Sequence, residues 1–271
     1  MRNRFLHVLF LLIIGLNSLA QNNNLPQMTA DRPGMATTAD IVIPWTLQAE
    51  SGSSFERSGS GTLRQDYILY NTSLLRFGFN KNAELRLQTD FARLKTDSAD
   101  IMGLDPIVLG TKLLLTRGNW IIPKTSVLMN VTLPWIGKKD FRPSGLLPSF
   151  YLLMQKDITK NLGICCNLGA QYDDFSKVPV EFFALCVTYG FTDKFSAYVE
   201  NYDYFFSGVK PVNSIDVGCA YQFMDNLQFD VSGNMNLQDF SHYFMINGGV
   251  AWRIIRRTVA NHKLHKKEPL R

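Results

Sequence analysis

The sequence predicts an all-β protein: a closed antiparallel transmembrane β-barrel of about 12 strands, with short periplasmic turns and longer external loops. Three observations predict it. First, one pattern recurs at 77–85, 189–197 and 221–229: Phe77-Gly78-Phe79, Tyr189-Gly190-Phe191 and Tyr221-Gln222-Phe223 each precede a short polar turn, after which alternation resumes. That is a tight hairpin with one apolar face. Second, the aromatics crowd beside the turns, which suits the water boundary of a membrane barrel and not the inside of a soluble sandwich. Third, no long apolar run follows residue 20, which excludes a helical membrane protein. Alternating strands hide their apolar face in an ordinary average, here 46% hydrophobic residues.

Residues 1–20 read as a secretory signal peptide. Arg2 and Arg4 precede an apolar run over 5–16 that only His7 and Gly15 interrupt, and Ser18 and Ala20 supply the small cleavage-site residues. Gln21 stands where a lipid anchor would need Cys.

Residues 21–44 hold Pro26, Pro33 and Pro44 among many polar residues and do not read as a strand. They are expected either in the periplasm or folded into the lumen. Asp31-Arg32-Pro33 is a Pro-fixed charged turn, so Asp31 and Arg32 are candidates for a lumen plug; the alternative is a plain leader.

The barrel itself is expected over 45–254, in strands near 45–55, 66–79, 83–95, 106–116, 120–133, 147–157, 161–172, 180–190, 194–204, 212–223, 226–235 and 243–254. Most are long enough to cross an outer membrane when tilted. Short connections, near Lys81, Arg117, Thr159, Asp193 and Asp225, alternate with mostly longer ones. An even strand number brings both termini to one side and leaves no unpaired edge in lipid.

Parity assigns the faces. In the third strand Leu85, Leu87 and Phe91 oppose Glu84, Arg86, Gln88 and Asp90; in the eleventh Leu227, Phe229 and Val231 oppose Gln228 and Asp230. A charge on the lipid face costs about 2–4 kcal/mol at mid-membrane. The predicted lumen-lining set is therefore Glu50, Arg76, Glu84, Arg86, Asp90, Lys112, Lys124, Tyr198, Glu200, Asp216, Gln228 and Asp230. The stretches 149–154 and 182–188 are apolar on both faces, so parity stays open there. Twelve strands lie between barrels filled by side chains and barrels with a water channel, leaving a narrow pore or a filled interior.

Residues 255–271 form a basic tail, expected in the periplasm. The net charge is +5, of which the signal supplies +2 and 253–271 supplies +6, so the rest is mildly acidic at −3. That argues against nucleic-acid binding. The four cysteines, Cys165, Cys166, Cys186 and Cys219, form no C-x-x-C. Cys165 or Cys166 could face Cys186 across a hairpin and bridge in an oxidising compartment, or all could simply pack as thiols.

Ala30-Asp31-Arg32-Pro33-Gly34, then Gln48-Ala49-Glu50-Ser51-Gly52, resemble the opening of the MetA-pathway phenol-degradation family of outer-membrane barrels. Leu75-Arg76-Phe77-Gly78-Phe79, Gly103-Leu104-Asp105-Pro106, Leu109-Gly110-Thr111-Lys112 and Tyr198-Val199-Glu200 resemble its later motifs in the same order, over about 30–254. The resemblance implies a barrel often called a transporter and supplies no substrate residues. Ala30 stands where the family has Thr or Ser, and the chain continues past its closing strand.

The function expected is passive passage of a small solute, an aromatic or apolar one being an option. A structural or adhesive barrel is the alternative. An outer-membrane enzyme is third: Asp239, Ser241 and His242 are sequence neighbours, which seldom have triad geometry, and no Gly-x-Ser-x-Gly turn is present. No metal or cofactor is expected; His262 and His265 sit among lysines, which disfavour a cation. Expected partners are outer-membrane lipid and lipopolysaccharide, the latter meeting Asp173, Asp174, Lys138 or Lys139. The loop at 135–146 is expected to fold inward in a pore and outward in an adhesin.

Overall fold

The structure is a computed structural model and describes residues 27–238 and 242–254. The signal peptide, the tail at 255–271, His262 and His265, and most of the Asp239–His242 stretch lie outside these residues.

The described residues form thirteen strands: β1 Leu47–Ser58, β2 Gln65–Asn80, β3 Ala83–Thr96, β4 Asp100–Leu104, β5 Val108–Thr116, β6 Lys124–Thr132, β7 Leu147–Asp157, β8 Leu162–Tyr172, β9 Pro179–Gly190, β10 Phe195–Phe205, β11 Val212–Met224, β12 Leu227–Asn236 and β13 Tyr243–Ile254. Each pairs antiparallel with its chain neighbours, except that β4 and β5 both pair with β3. β4 faces Phe91–Lys95 and β5 faces Ala83–Gln88. The two are one wall position, interrupted at 105–107, where Pro106 lacks the N–H that a ladder needs. The wall therefore has twelve positions. β1 pairs with β13 from Leu47↔Ile254 to Ser58↔Tyr243, which closes it. Closure removes the edges that lipid could not satisfy.

The connections 81–82, 117–123, 158–161, 191–194 and 225–226 form one end, the turn end, with the start of β1 and the end of β13. The opposite, loop end carries 59–64, 97–99, 133–146, 173–178, 206–211 and 237–238. The short–long alternation expected from sequence is broken twice. β3 and β4 join through three residues, because β3 runs on to Thr96 and β4 folds straight back along its last residues, Phe91–Lys95. β6 starts at Lys124 and not at 120, because Pro123 precedes it and the Asn119 side chain accepts hydrogen bonds from Ile121 and Ile122 N–H to shape a longer turn.

Apolar side chains cover the outside. Leu85, Phe91, Val217, Phe229 and Val231 are exposed while Glu84, Asp216 and Gln228 between them are buried. Trp45, Phe79, Trp120, Phe191 and Phe223 ring the turn end. Register also settles the two ambiguous strands. Leu153 and Phe182, Ala184 and Cys186 face inward, while Phe150 and Leu185 face outward.

Candidate functional site

Residues 27–46 run through the lumen. Gln27 Nε2 reaches the Asp193 carbonyl at the turn end, 3.5 Å away. The segment then touches the wall on all sides before Trp45 N donates to Gly78 O at 2.6 Å and the chain turns into β1. Val42 and Ile43 carbonyls press on Gly78 so closely that no Cβ fits there.

A segment without a strand partner must satisfy its backbone otherwise. Here wall side chains do it. Glu200 accepts from Met35 N and Ala36 N, both at 2.8 Å. Asn167 accepts from Thr37 N at 2.7 Å and donates to Thr37 O at 3.0 Å. Gln155 accepts from Ala39 N, Ser126 donates to Ala39 O, and Glu84 accepts from Val42 N. Gln48 and Lys112 donate to the Thr29 and Thr38 carbonyls, both at 2.9 Å.

Charge complementarity adds to this. On the β1–β5 wall, buried Arg76, Arg86 and Lys112 outnumber Glu50 and Glu84. Asp31 supplies the missing carboxylate: Arg86 Nη1 lies 2.6 Å from it, Lys112 Nζ 3.1 Å and Arg76 Nη1 3.4 Å. Arg76 also bonds Glu50 and Glu84, each at 2.9 Å. Burial alone would raise the Asp31 carboxyl, but Arg76, Lys112 and Arg86 override it and hold it far below the usual carboxylate range. On the opposite wall, Glu200, Asp216 and Asp230 form no ion pair with a basic wall residue among the described residues. Arg32 answers there, with Nη2 3.0 Å from Asp230 Oδ1 and 3.2 Å from Asn247 Oδ1. The adjacent pair Asp31-Arg32 thus spans a basic wall and an acidic wall.

Each residue predicted to line the lumen has a definite place. Glu50, Arg76, Glu84, Arg86, Lys112, Glu200 and Asp230 touch the segment as described. Tyr198 packs under Gly34 and donates to Asp216 at 3.1 Å. Lys124 bonds Asp40 at 2.5 Å. Asp90 sits nearer the loop end, held by Thr72 and Gln88. Gln228 is buried near the turn end. Sequence reasoning missed Asp40, Ser126, Gln155, Asn167 and Asn247. For the last four the signal was inward parity on polar side chains, drowned in strands read mainly for charge; Asp40 lies in the segment, where no strand period marks it.

On the turn side of the segment lies a cavity of about 570 Å³, lined among others by Gln27, Arg32, Cys165, Cys186, Thr188 and Gln228. Nearer the loop end stands an aromatic row. Tyr151 and Phe182 meet edge-on at 5.8 Å and Tyr202 and Tyr204 edge-on at 6.1 Å, while Phe182 and Tyr204 are tilted at 5.1 Å, with Met35 packed against the row. The loop 133–146 bonds to the rim. Lys138 N donates to Leu104 O on the interrupted wall position, and Ser144 bonds Asp174 of the next loop. Bonds from Lys177 and Ser144 pull the Asp174 carboxyl down to about 2.

A family model described as "Putative MetA-pathway of phenol degradation" matches residues 30–254. Similar solved structures include the COG4313 outer membrane channel from Pseudomonas putida F1, at 11% identity and TM-score 0.66, covering 82% of this chain and 99% of that one. The NanC porin aligns at 11% identity and TM-score 0.54, covering 76% and 100%. The KdgM porin, in complex with disordered oligogalacturonate, aligns at 10% and 0.52, covering 76% and 98%. These likenesses show the fold. No curated protein matches the sequence.

Proposed function

The chain belongs to the family described as "Putative MetA-pathway of phenol degradation", and from that premise we propose that it is a passive outer-membrane channel for a small solute, closed at rest by its own N-terminal segment. One observation carries the reading: Asp31-Arg32 complements two oppositely charged walls inside a closed barrel. The segment is held there by side-chain bonds and by its covalent join at Trp45, with no ladder of its own, so it can leave without breaking the wall.

The solute class is aromatic or apolar. What supports it is the row of Tyr151, Phe182, Tyr202 and Tyr204 packed against Met35 on the loop side of the segment, which the segment's departure would uncover. Aromatic faces hold such a solute by stacking and burial. The family description points to the same chemistry. Asp90, Asp216 and Gln228 line the route beside the segment. We assign no catalytic role to any residue. Lys138 and Lys139, at the rim of the long loop, are the proposed contact with lipopolysaccharide phosphates.

Planar-bilayer recording tests the reading. The mature protein should show small or infrequent openings, and a variant lacking residues 27–40 should show larger, sustained ones. Silence from both, in barrels whose folding is verified by heat-modifiable migration, would overturn it in favour of a non-transporting structural barrel.

A further inference from the structure

We propose that Cys165 and Cys186 form an intramolecular disulfide on the lumen wall. Of the four cysteines, register singles out these two. Cys165 stands directly across from Cys186 on β8 and β9. Cys166 faces the other way, opposite Met154 and Leu185, and Cys219 lies between Ala197 and Val231 on the lipid side.

The kind of pair follows from the ladder. Gly190 N donates to Asn161 O at 2.8 Å, and Asp173 N to Val178 O at 3.1 Å. Both belong to the same unshifted register, an even number of residues from Cys165. In an antiparallel ladder, opposite residues alternate between hydrogen-bonded and non-bonded pairs. Cys165↔Cys186 is therefore a hydrogen-bonded pair, with Cα atoms about 5.5 Å apart. That lies within the Cα span a disulfide bridges, while the Cβ atoms, about 5.5 Å apart in such a pair, must draw in toward the roughly 3.5–4.5 Å of a bridge, so the two strands close slightly at this point.

Access and environment agree. Both cysteines line the cavity of about 570 Å³ on the turn side of the segment. The barrel lumen belongs to an exported, oxidising compartment. In the thiol form Cys165 Sγ donates to Thr37 O at 3.3 Å. The disulfide has no S–H, so that bond is lost and Asn167 alone holds Thr37 from this side.

A small disulfide such as oxidised glutathione serves as oxidant. One cysteine thiolate attacks a glutathione sulfur, releasing one glutathione thiolate and leaving a mixed disulfide. The second thiolate attacks the protein sulfur of that bond and releases the other. The two protons from the protein thiols end on the two glutathiones.

The purified full barrel is incubated with oxidised glutathione, unfolded, treated with N-ethylmaleimide and weighed intact, with and without prior reduction. Two of the four thiols should be alkylated without reductant and four after it, and digestion should give one linked pair containing Cys165 and Cys186. The Cys166→Ser variant should keep the bond; Cys165→Ser and Cys186→Ser should lose it. Four alkylated thiols in the unreduced wild type, or a linked pair involving Cys166 or Cys219, would overturn the proposal. The wild-type and Cys166→Ser results decide it even if the other variants fail to fold.

Discussion

Gly52 and Gly249 are directly paired on the first and last strands, and the Arg32 guanidinium fills the space that their absent side chains leave. A Cβ on Gly52 would lie 2.5 Å from Arg32 Cζ, with only Arg32 atoms as its nearest neighbours. A Cβ on Gly249 would also strike the Ser51 carbonyl. The seam that closes the barrel is thus also the socket of the segment.

Gly52→Val should therefore displace Arg32 and spare the wall. Arg32 would lose charge-assisted bonds to Asp230 and Asn247, worth about 1.5–3 kcal/mol. That shifts the docked population by roughly 10- to 100-fold. Bilayer recording should show more openings in Gly52→Val and in Arg32→Ala, to a similar degree. An opening frequency no higher than the wild type's in Gly52→Val would mean that Arg32 does not hold the segment.

Asp31→Asn should have the larger effect. It leaves Arg76, Arg86 and Lys112 facing only Glu50 and Glu84, and breaking a buried pair costs about 3–5 kcal/mol. The pH dependence has a definite sign. A carboxylate held below its unfolded value contributes stability in full above that value, 3.8 here, and loses it as pH falls toward the folded one. The share of the hold that Asp31 supplies should therefore be complete from about pH 7 to pH 5 and fall only below about pH 4, so the conductance difference between Asp31→Asn and the wild type should stay constant over the first range and shrink in the second. A difference that already changes near neutrality would mean that the Asp31 carboxylate is not its source.

The aromatic row makes a separable prediction. Phe182→Ala removes the ring that touches both Tyr151 and Tyr204. Transit of a phenol-sized solute into liposomes should weaken in its saturation, with apparent affinity falling roughly tenfold for about 1.4 kcal/mol of lost contact. Conductance for small ions should barely change. Equal loss of both would mean that Phe182 only supports the wall.

The wall was legible in the sequence because a two-residue period writes each strand twice, once per face. Glu84 beside Leu85 and Gln228 beside Phe229 could only alternate one way, since charge is excluded from lipid. Tyr151 and Phe182 lay in strands apolar on both faces, so only register placed them inside. Asp31-Arg32 stood out as a charged turn. The path of the segment did not, because its backbone partners are Glu200, Asn167, Gln155 and Ser126, 87 to 165 residues away in the chain. The broken wall position was hidden too: Asp105-Pro106 reads as a loop end, yet β4 continues the wall beyond it.

The alternation itself can be tested at neighbouring residues. Phe229 points to lipid and is 47% exposed, while Gln228 is buried in the lumen. Phe229→Arg should cost about 2–4 kcal/mol or block insertion. Gln228→Arg should insert and migrate as a heat-modifiable barrel. Equal damage from both would show that β12 does not divide lipid from lumen.

The basic tail gives the last prediction. β13 is paired on both sides, with β12 from Leu227↔Trp252 and with β1 up to Leu47↔Ile254. The ring is complete at Ile254, so the wall needs nothing beyond it. Residues 256–271 also carry six Lys or Arg and one Glu, a charge that could not lie against hydrocarbon. Deleting 258–271 should leave assembly and heat-modifiable migration intact. Deleting 244–271 removes the seam strand and with it the β-pairing that satisfies β1 and β12, so both should be lost. If removal of 258–271 alone prevents assembly, the tail carries a targeting or structural role that the closed ring does not explain.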